Sequence, residues 1–369
     1  MILCGFSAVV DSSLAQIWTS NCNLVGYCVT SSADGRSLSV TTGSGVYTST
    51  NYGASWISNN ISAYATCLAA SADGSNLVLG GSSPGAVYSS TNAGLTWVLQ
   101  ATPPSFGVFN NLRSIACSAD GKKVVVALYG TCPIFVSTNS GATWSTNNSP
   151  VAYWTSVASS SDGGTLYAIS TSLWKSTDSG LTWVSNSATA TGTAVVATSS
   201  DGSVIVVSGF GGTYVSTNSG ASWNLSLPSV AFASVALAAD GRKMAGVFYS
   251  GNFTSTNSGL TWISNALPFK VWSSVTSSAD GSRMVATAQN KGIYTWQETP
   301  TTQLNFVTSN NNLELSWTIP STPFVLQQSP DLIAWSSITN SPSVDLANLR
   351  FGLTLSATGT NNFFRLKTP

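Results

Sequence analysis

The sequence predicts an all-β protein built from a repeated four-stranded unit, because two motifs recur along the chain with the same spacing. The first motif is an Asp-Gly pair, and its aspartates are 39 to 47 residues apart: Asp34, Asp73, Asp120, Asp162, Asp201, Asp240 and Asp280. The second is an eight-residue stretch ending in tryptophan, called the box below, at residues 49–56, 90–97, 137–144, 176–183, 216–223 and 255–262. A period of about 40 residues with four short apolar runs is typical of one β-propeller blade.

The fourth repeat illustrates the strands expected in each blade. Residues 156–159 are small and are expected to form the innermost strand, followed by a second strand at 166–169 and a third at 173–176. Asp162 can cap the turn between the first two strands, and the glycine after it accepts positive φ. Short strands bounded by Gly, Ser and Asn favour a meander of hairpins.

Two sets of side chains recur in every repeat and are therefore interpreted as packing. The first is the apolar residue five positions before each turn aspartate: Val29, Leu68, Ile115, Val157, Val196, Val235 and Val275. The second is an aromatic residue of the third strand: Tyr47, Tyr88, Phe135, Trp174, Tyr214, Phe253 and Tyr294.

The two ends of the repeat array complete each other. Residues 16–19 resemble the end of a box without a blade before them, and residues 292–296 form a third strand without a full box after it. An N-terminal strand at residues 17–20 would close the last blade and leave no open edge in the ring. We therefore predict a seven-bladed β-propeller over residues 16–298.

The box resembles the Asp-box, or bacterial neuraminidase repeat, of the form Ser-x-Asp-x-Gly-x-x-Trp. Asp178 keeps the acid of that pattern, whereas asparagine replaces it at Asn51, Asn92, Asn139, Asn218 and Asn257. Asparagine still accepts the backbone N–H bonds that hold such a turn. The resemblance implies a folding device that lies away from any active site, in a class of propellers that includes sialidases and xyloglucanases.

The period stops after residue 298, where residues 299–302 suggest a linker. Residues 303–369 alternate in short strands, with Leu326, Ser329, Asp331, Leu332 and Trp335 in a spaced pattern and Phe-Phe-Arg-Leu at 363–366. This stretch resembles the small C-terminal β-sandwich tail of many secreted bacterial proteins. The resemblance implies an accessory module for attachment or sorting.

The first fifteen residues leave two interpretations open. Residues 2–10 are apolar and residues 13–15 would suit signal peptidase, but the positively charged start of a secretion signal is missing. Residues 1–15 are either a residual signal segment or an irregular N-terminal arm. No apolar stretch is long enough to span a membrane.

The low charge restricts the possible partners. Charged residues make up 7% of the chain, against a usual value of about 25%, and 13 basic residues balance 13 acidic ones. Without a basic patch, nucleic acid is an improbable partner. The neutral, hydroxyl-rich composition instead indicates a secreted or cell-surface protein, expected to be a monomer, with a glycan or a cell-surface protein as partner.

Six cysteines occur within the first 132 residues of the chain, with no CxxC pair. A zinc site is therefore disfavoured, and neither a metal nor a cofactor is expected. Cys22 and Cys28 are the best candidates for a disulfide. The alternative is that all these cysteines are free thiols buried as small apolar groups.

Hydrolysis lacks its usual residues, so no catalytic residue is assigned. The chain contains no histidine, and the acids of residues 16–298 are the seven turn aspartates, Asp178 and Glu298. Glycosidases need two carboxyl groups across the scissile bond. The turn aspartates are expected on the same face as the boxes, which leaves no carboxylate on the opposite, open face.

The open face instead offers aromatic residues that vary between blades. Eight residues before the turn aspartate stand Trp154, Phe232 and Trp272, and nine residues after it stand Tyr129, Phe210 and Tyr249. Arg113 and Lys270 lie beside them in the sequence. Flat rings with a few polar neighbours suit stacking on a sugar or contact with a protein. These eight residues are the candidate binding site; the alternative is that the rings only pack loops.

The expected function is non-catalytic binding or scaffolding through the open face. One alternative is a sialidase-like or other glycoside hydrolase or lyase. Another follows from a resemblance to photosystem II assembly-factor propellers, which use similar repeats but need a basic patch that is weak here.

Overall fold

The structure is a computed structural model that describes residues 18–369 except 44, 60, 62–64, 82–85, 104–110, 187–193, 250, 266–269, 291, 298–304, 310–311, 319–324, 331–333, 341, 346–349, 357–362 and 368–369. The described residues form strands, turns and bends. Within these ranges no helix is long and apolar enough to cross a membrane.

The chain divides into two compact units, of which Gln16–Gln297 is one and Glu298–Pro369 belongs to the other. Among its described residues, the first unit contains seven antiparallel four-stranded sheets. The sheets are numbered 1 to 7 in chain order, and their strands run as follows: sheet 1, β2 (Cys28–Ser31), β3 (Leu38–Thr42), β4 (Gly45–Ser49), β5 (Ile57–Asn59); sheet 2, β6 (Ala65–Ala70), β7 (Leu77–Gly81), β8 (Val87–Ser90), β9 (Val98–Leu99); sheet 3, β10 (Leu112–Cys117), β11 (Val124–Leu128), β13 (Phe135–Ser137), β14 (Ser145–Thr146); sheet 4, β16 (Ser156–Ser159), β17 (Leu166–Ile169), β18 (Leu173–Ser176), β19 (Val184–Asn186); sheet 5, β20 (Val195–Thr198), β21 (Ile205–Gly209), β22 (Gly212–Ser216), β23 (Asn224–Leu227); sheet 6, β24 (Ser234–Leu237), β25 (Met244–Phe248), β26 (Gly251–Ser255), β27 (Ile263–Asn265); and sheet 7, β28 (Trp272–Ser277), β29 (Arg283–Ala288), β30 (Ile293–Gln297), β1 (Thr19–Cys22).

The N-terminal strand completes sheet 7, as its sequence predicts. Strand β1 pairs antiparallel with β30, with Thr19 opposite Thr295 and Ser20 opposite Tyr294. The strand occupies residues 19–22 and not 17–20, and residue 17 lies outside the described residues. Trp18 is buried in the core that sheet 7 shares with sheet 6.

A closed cycle of backbone hydrogen bonds, called the belt below, joins the seven sheets where their innermost strands end. The residue before each turn aspartate donates its N–H to the carbonyl of the same position in the next sheet, over 2.6 to 2.9 Å. The cycle runs through Ala33, Ala72, Ala119, Ser161, Ser200, Ala239 and Ala279 and returns to Ala33. All seven belt residues line a cavity of about 190 Å³. The small side chains of this position let the innermost strands approach closely enough for these bonds.

The Asp-Gly turns share one hydrogen-bond pattern, shown by the turn of sheet 4. The Ser160 hydroxyl donates to the Asp162 carboxylate over 2.6 Å and accepts the Thr165 N–H over 2.9 Å. Gly163 has positive φ, as the turn requires. A serine makes the same hydroxyl-to-carboxylate bond in six of the seven turns, and Ala238 replaces it in sheet 6.

Each box closes on itself, as expected for a folding device. In the box at residues 137–144, the Ser137 hydroxyl donates to Asn139 Oδ1 over 2.9 Å, and Asn139 Oδ1 accepts the Thr143 N–H over 2.8 Å. The Gly141 N–H donates to the Ser137 hydroxyl over 2.9 Å. The other five boxes make the same three bonds, with Asp178 in the place of asparagine in the fourth.

The hydrophobic core lies between neighbouring sheets. One cluster joins Val125 and Val136 of sheet 3 to Val157, Leu166 and Trp183 of sheet 4. Equivalent clusters join the other neighbours, so the apolar faces of adjacent sheets bury each other.

The candidate disulfide between Cys22 and Cys28 does not form, and the five described cysteines are free thiols. Cys22 lies on the outermost strand of sheet 7, whereas Cys28 lies on the innermost strand of sheet 1. Cys28 Sγ is 3.8 Å from the Leu68 carbonyl oxygen, and burial raises the pKa of its thiol. The alternative interpretation, free thiols packed as small apolar groups, describes these cysteines; Cys4 lies outside the described residues.

The C-terminal unit contains two antiparallel sheets. One sheet has the strand order β31 (Asn305–Ser309), β32 (Asn312–Thr318), β36 (Arg350–Ser356), β35 (Ser343–Asp345), and the other has the order β34 (Ser336–Ser337), β33 (Val325–Ser329), β37 (Phe363–Lys367). Leu315 and Trp317 of the first sheet share one apolar cluster with Leu326 of the second.

The two sequence patterns of the C-terminal tail meet in this unit. The Arg365 guanidinium lies 4.1 Å from the centre of the Trp335 ring, and Arg365 Nε donates to Gln327 Oε1 over 2.9 Å. Strands β33 and β37 pair directly, with Gln327 opposite Arg365. Trp335 of the first pattern and Arg365 of the second therefore contact each other in the folded unit.

Candidate binding surface

The seven sheets of the first unit have two chemically different ends. Because antiparallel strands alternate in direction, the Asp-Gly turns and the boxes lie at one end, called the turn end. The connections between sheets and the loops from second to third strands lie at the other, called the loop end. Among the described residues of this unit, every carboxylate belongs to an Asp-Gly turn or to Asp178, and therefore to the turn end. Arg113 and Lys270 lie at the loop end.

The structure corrects the expected position of three candidate residues. Trp154, Trp272 and Phe232 are 0%, 2% and 4% exposed, so these rings are not available for stacking on a ligand. Trp154 Nε1 donates to the Cys132 carbonyl over 2.9 Å. The Trp272 ring meets Tyr294 edge to face, with centres 5.1 Å apart.

Size variation at this position, eight residues before the turn aspartate, reflects packing and not recognition. The small residues there, Gly26 and Ala65, are buried like the large ones. Neighbouring residues compensate for the size: a Cβ added to Gly246 would lie 2.6 Å from the Phe232 ring. Conversely, a Cβ added to Gly26 would lie 2.7 Å from Thr287 Cβ. A core position can therefore change from Gly to Trp around the ring when its neighbours change with it.

The candidate aromatic residues that lie nine positions after the turn aspartate are exposed, as expected. Tyr129, Phe210 and Tyr249 are 49%, 75% and 65% exposed. Each follows the second strand of its sheet, on sheets 3, 5 and 6. Lys270 is half-buried just before β28 of sheet 7. The loop end therefore presents aromatic surface from several sheets.

A contiguous cluster, called the sheet 3 cluster below, consists of Arg113, Tyr129 and Tyr153. The Arg113 guanidinium lies 5.9 Å from the centre of the Tyr129 ring, which is within cation–π range. The Tyr129 and Tyr153 rings meet edge to face, with centres 5.4 Å apart at 73°. A hydrogen bond with Tyr129 raises the pKa of the exposed Tyr153 phenol above its usual range.

Tyr153 was not among the candidates from the sequence. It directly precedes Trp154 and lies nine residues before the turn aspartate, whereas the candidate aromatics lie eight residues before it or nine residues after it. Its partner Tyr129 lies 24 residues earlier in the chain. The one sequence signal was that Tyr129 and Tyr153 lie on either side of the box at residues 137–144. Their contact depends on the loop geometry described next.

An additional two-stranded sheet supports the sheet 3 cluster. Strand β12 (Thr131–Cys132) pairs with β15 (Ala152–Tyr153), with Thr131 opposite Tyr153. Strand β12 lies in the loop between the second and third strands of sheet 3, which occupies residues 129–134. The equivalent loop of sheet 5 is only residues 210–211. The Nε1–H of the buried Trp154 donates to the Cys132 carbonyl, and the Tyr129 N–H donates to the Asn111 carbonyl over 2.8 Å. Trp154 therefore supports the exposed surface without belonging to it.

Arg113 occupies a position at which three other sheets have a hydroxyl that bridges to the next sheet. It lies at a β-bulge, where the register of β10 and β11 shifts between Leu112 and Ser114. At the equivalent position, seven residues before the turn aspartate, Thr66 donates to the Leu112 carbonyl of the next sheet over 3.0 Å. Thr155 and Ser273 bridge to their next sheets in the same way over 2.7 Å. In sheet 3 this hydroxyl is replaced by an exposed guanidinium.

Within the described residues, no group of three His, Cys, Asp or Glu side chains could hold a metal ion. The Asp178 carboxylate accepts bonds from Ser176 and Thr182 of its own box. The turn aspartates likewise bond within their turns. The arrangement can bind through rings and a cation, but it offers no carboxyl pair across an open cleft.

The sequence matches no protein-family model, and no curated protein matches it. Solved structures with a similar fold include YCF48 bound to D1 peptide, with a TM-score of 0.59, 16% identity and coverage of 76% of this chain and 97% of that chain. YCF48 from Cyanidioschyzon merolae has a TM-score of 0.58 and 14% identity over 77% of this chain and 98% of that chain. The Niastella koreensis GH74 enzyme has a TM-score of 0.58 and 16% identity over 88% of this chain and 60% of that chain. These proteins are β-propellers, and the likeness shows that this all-β chain has a β-propeller fold.

Proposed function

We propose that this protein is a non-catalytic binding propeller that takes up a segment of a partner protein at its loop end. The observation that carries the proposal is the sheet 3 cluster, in which two exposed rings and an exposed guanidinium share one surface. Large rigid rings beside arginine are the side chains that dominate protein recognition. Phe210 and Tyr249 extend the aromatic surface to other sheets.

The same proposal includes the finer description of the fold. The seven sheets are seven blades, the boxes are Asp-boxes used as folding devices, and the C-terminal unit is a small β-sandwich used for attachment. The closed belt and the three hydrogen bonds that all six boxes share support this description. The proposal also has the protein acting outside the cell or at the cell surface, which its low charge favours.

A protein segment suits this surface better than a glycan. The Arg113 guanidinium and the Tyr129 and Tyr153 hydroxyls lie on an exposed platform, where an extended chain can bind without a deep pocket. A YCF48 structure with a similar fold contains a bound D1 peptide, so a β-propeller of this shape can bind a peptide. An assembly-factor role is one form of this proposal. Hydrolysis is not favoured, since glycosidases need two carboxyl groups across the bond.

The test compares binding of the full-length protein to arrays of extended peptides and of glycans, with and without the Tyr129→Ala and Tyr153→Ala changes. We expect peptide binding that each change weakens by about 1–3 kcal/mol, the range of an interface hot spot. Tyr52→Ala is the matched control. Tyr52 is exposed by 41% like Tyr153, and Arg283 lies 4.0 Å from its ring centre, but it belongs to the turn end.

The control should bind as the unchanged protein does. If the protein binds glycans but no peptides, and the two tyrosine changes weaken that binding, the sheet 3 cluster is a glycan-binding site. Binding that Tyr52→Ala abolishes and the loop-end changes leave intact would contradict the proposal.

A further inference from the structure

The loop end combines a cation with a local absence of acids. The sequence has no acidic residue between Asp73 and Asp120, or between Asp120 and Asp162, so the acid nearest to Arg113 along the chain is Asp120, seven residues away at the turn end. The described carboxylates of this unit lie at the turn end, where they bond within their own turns. The charge of the Arg113 guanidinium therefore faces outward without an internal counter-charge.

The residue seven positions before the turn aspartate differs between sheets: Tyr27, Thr66, Arg113, Thr155, Ala194, Ala233 and Ser273. Where it is a small hydroxyl, at Thr66, Thr155 and Ser273, its side chain bridges to the next sheet. Arg113 instead carries a guanidinium with five N–H donors, which lies 5.9 Å from the centre of the Tyr129 ring. A guanidinium that lies on a ring keeps its N–H edge free for a planar, negatively charged acceptor.

We propose that Arg113 is the specificity-determining residue of the loop end and that it binds a carboxylate of the partner segment. The inference rests on the proposed function, since it names the chemistry of the segment that the sheet 3 cluster takes up. The Tyr129 ring orients the guanidinium, and the Tyr153 ring flanks Tyr129. The carboxylate belongs either to an aspartate or glutamate side chain or to the C-terminus of the segment.

The experiment starts with displayed libraries of random 12-residue peptides, one with free C-termini and one with blocked C-termini, selected on the full-length protein. We expect enrichment of Asp or Glu in the blocked library if a side chain binds, and enrichment only in the free library if the C-terminus binds. Selected peptides are then synthesised in pairs that differ by Glu to Gln or by amidation of the C-terminus.

Arg113→Thr is the decisive variant, because it restores the hydroxyl found at Thr66 and Thr155 and is therefore expected to fold. It should weaken binding of the acidic peptide about tenfold, the effect of losing one hydrogen bond to a charged group. The same variant should bind the neutral member of the pair as the unchanged protein does. Arg113→Lys should retain part of the binding, and added salt should weaken it.

The outcomes separate this inference from the proposed function. Absence of any enriched peptide overturns both. Enriched peptides without an acidic group, or equal binding of the acidic peptide by Arg113→Thr, overturn the role of Arg113 while leaving a binding propeller. Discrimination between the acidic and neutral peptides that disappears in Arg113→Thr supports it.

Discussion

The turn end and the loop end of the first unit follow opposite rules. At the turn end the same hydrogen bonds recur in almost every sheet: the belt closes through all seven, and the six boxes make identical bonds. At the loop end the connections differ in length, and among the described residues only sheet 3 carries an additional two-stranded sheet. One end holds the ring together, which allows the other to vary without loss of the fold.

This difference teaches where to look for function in a repeat protein. A side chain at a repeated position is explained by the repeat, and a departure needs its own reason. Arg113 stands where three other sheets have a bridging hydroxyl and is exposed, whereas Trp154 differs in size from its equivalents but is fully buried. Departure together with exposure marks the candidate site.

The largest expected effect tests whether the N-terminal strand β1 closes sheet 7 and stabilises the ring of sheets. Deleting residues 1–22 removes β1 and Trp18, exposes the edge of β30 and uncovers the core shared with sheet 6. We expect a loss of about 3–5 kcal/mol or more, since the buried Trp alone is worth that much. Thermal and urea unfolding measure the loss. A Tm equal to that of the full chain would contradict closure by the N-terminal strand.

The second test separates buried from exposed rings at the loop end. Trp154→Ala should lower the free energy of unfolding by about 3–5 kcal/mol, because a fully buried ring and its bond to Cys132 are lost. Tyr129→Ala should change it by less than about 1 kcal/mol, since the ring is half exposed. Urea unfolding of both variants measures the difference. Equal losses would mean that Tyr129 also belongs to the core.

The Asp-Gly turns of sheets 4 and 6 offer a test with a smaller expected effect, because the first has a serine where the second has an alanine. Ser160→Ala removes a hydroxyl that bonds both Asp162 and the Thr165 N–H, and should cost about 1–2 kcal/mol. Ala238→Ser adds the missing hydroxyl beside Asp240 and should stabilise the protein by up to about 1 kcal/mol. Urea unfolding of both variants checks the signs. If both changes destabilise, the serine is not the element that holds the turn.

The smallest effect is a dependence on pH through Asp178. Hydrogen bonds from the Thr182 hydroxyl and N–H and from Ser176 lower the pKa of Asp178 to about 2. The folded carboxylate thus binds a proton more weakly than the unfolded one, whose pKa is about 4. Its contribution to stability is complete above pH 4 and is lost as the pH falls towards 2.

Asp178→Asn reproduces the five asparagine boxes and supplies the control. The stability difference between the unchanged protein and this variant should shrink between pH 5 and pH 2, as followed by urea midpoints. A difference that stays constant over this range would show that the carboxylate charge makes no contribution at the turn.

Sequence reasoning located the repeats, the turns and the closing strand because each depends on local chemistry. Asp-Gly pairs, serine hydroxyls and small belt residues form their bonds within a few residues or at the same position of the next sheet. The prediction for Trp154, Trp272 and Phe232 was wrong in placing these rings at the surface. It assumed that a packing position keeps one side-chain size around the ring.

The sequence by itself determined the period, the strand order within each sheet and the position of the seven turn aspartates and Asp178 at one end of the sheets. Tertiary structure decided which aromatic residues are exposed, because burial depends on what the neighbouring sheet places opposite each ring. Gly246 makes room for Phe232, and Cys132 accepts the bond from Trp154. Tertiary structure alone also joined Tyr153 to Tyr129, since a pairing of two loops across a box leaves no periodic trace in the sequence.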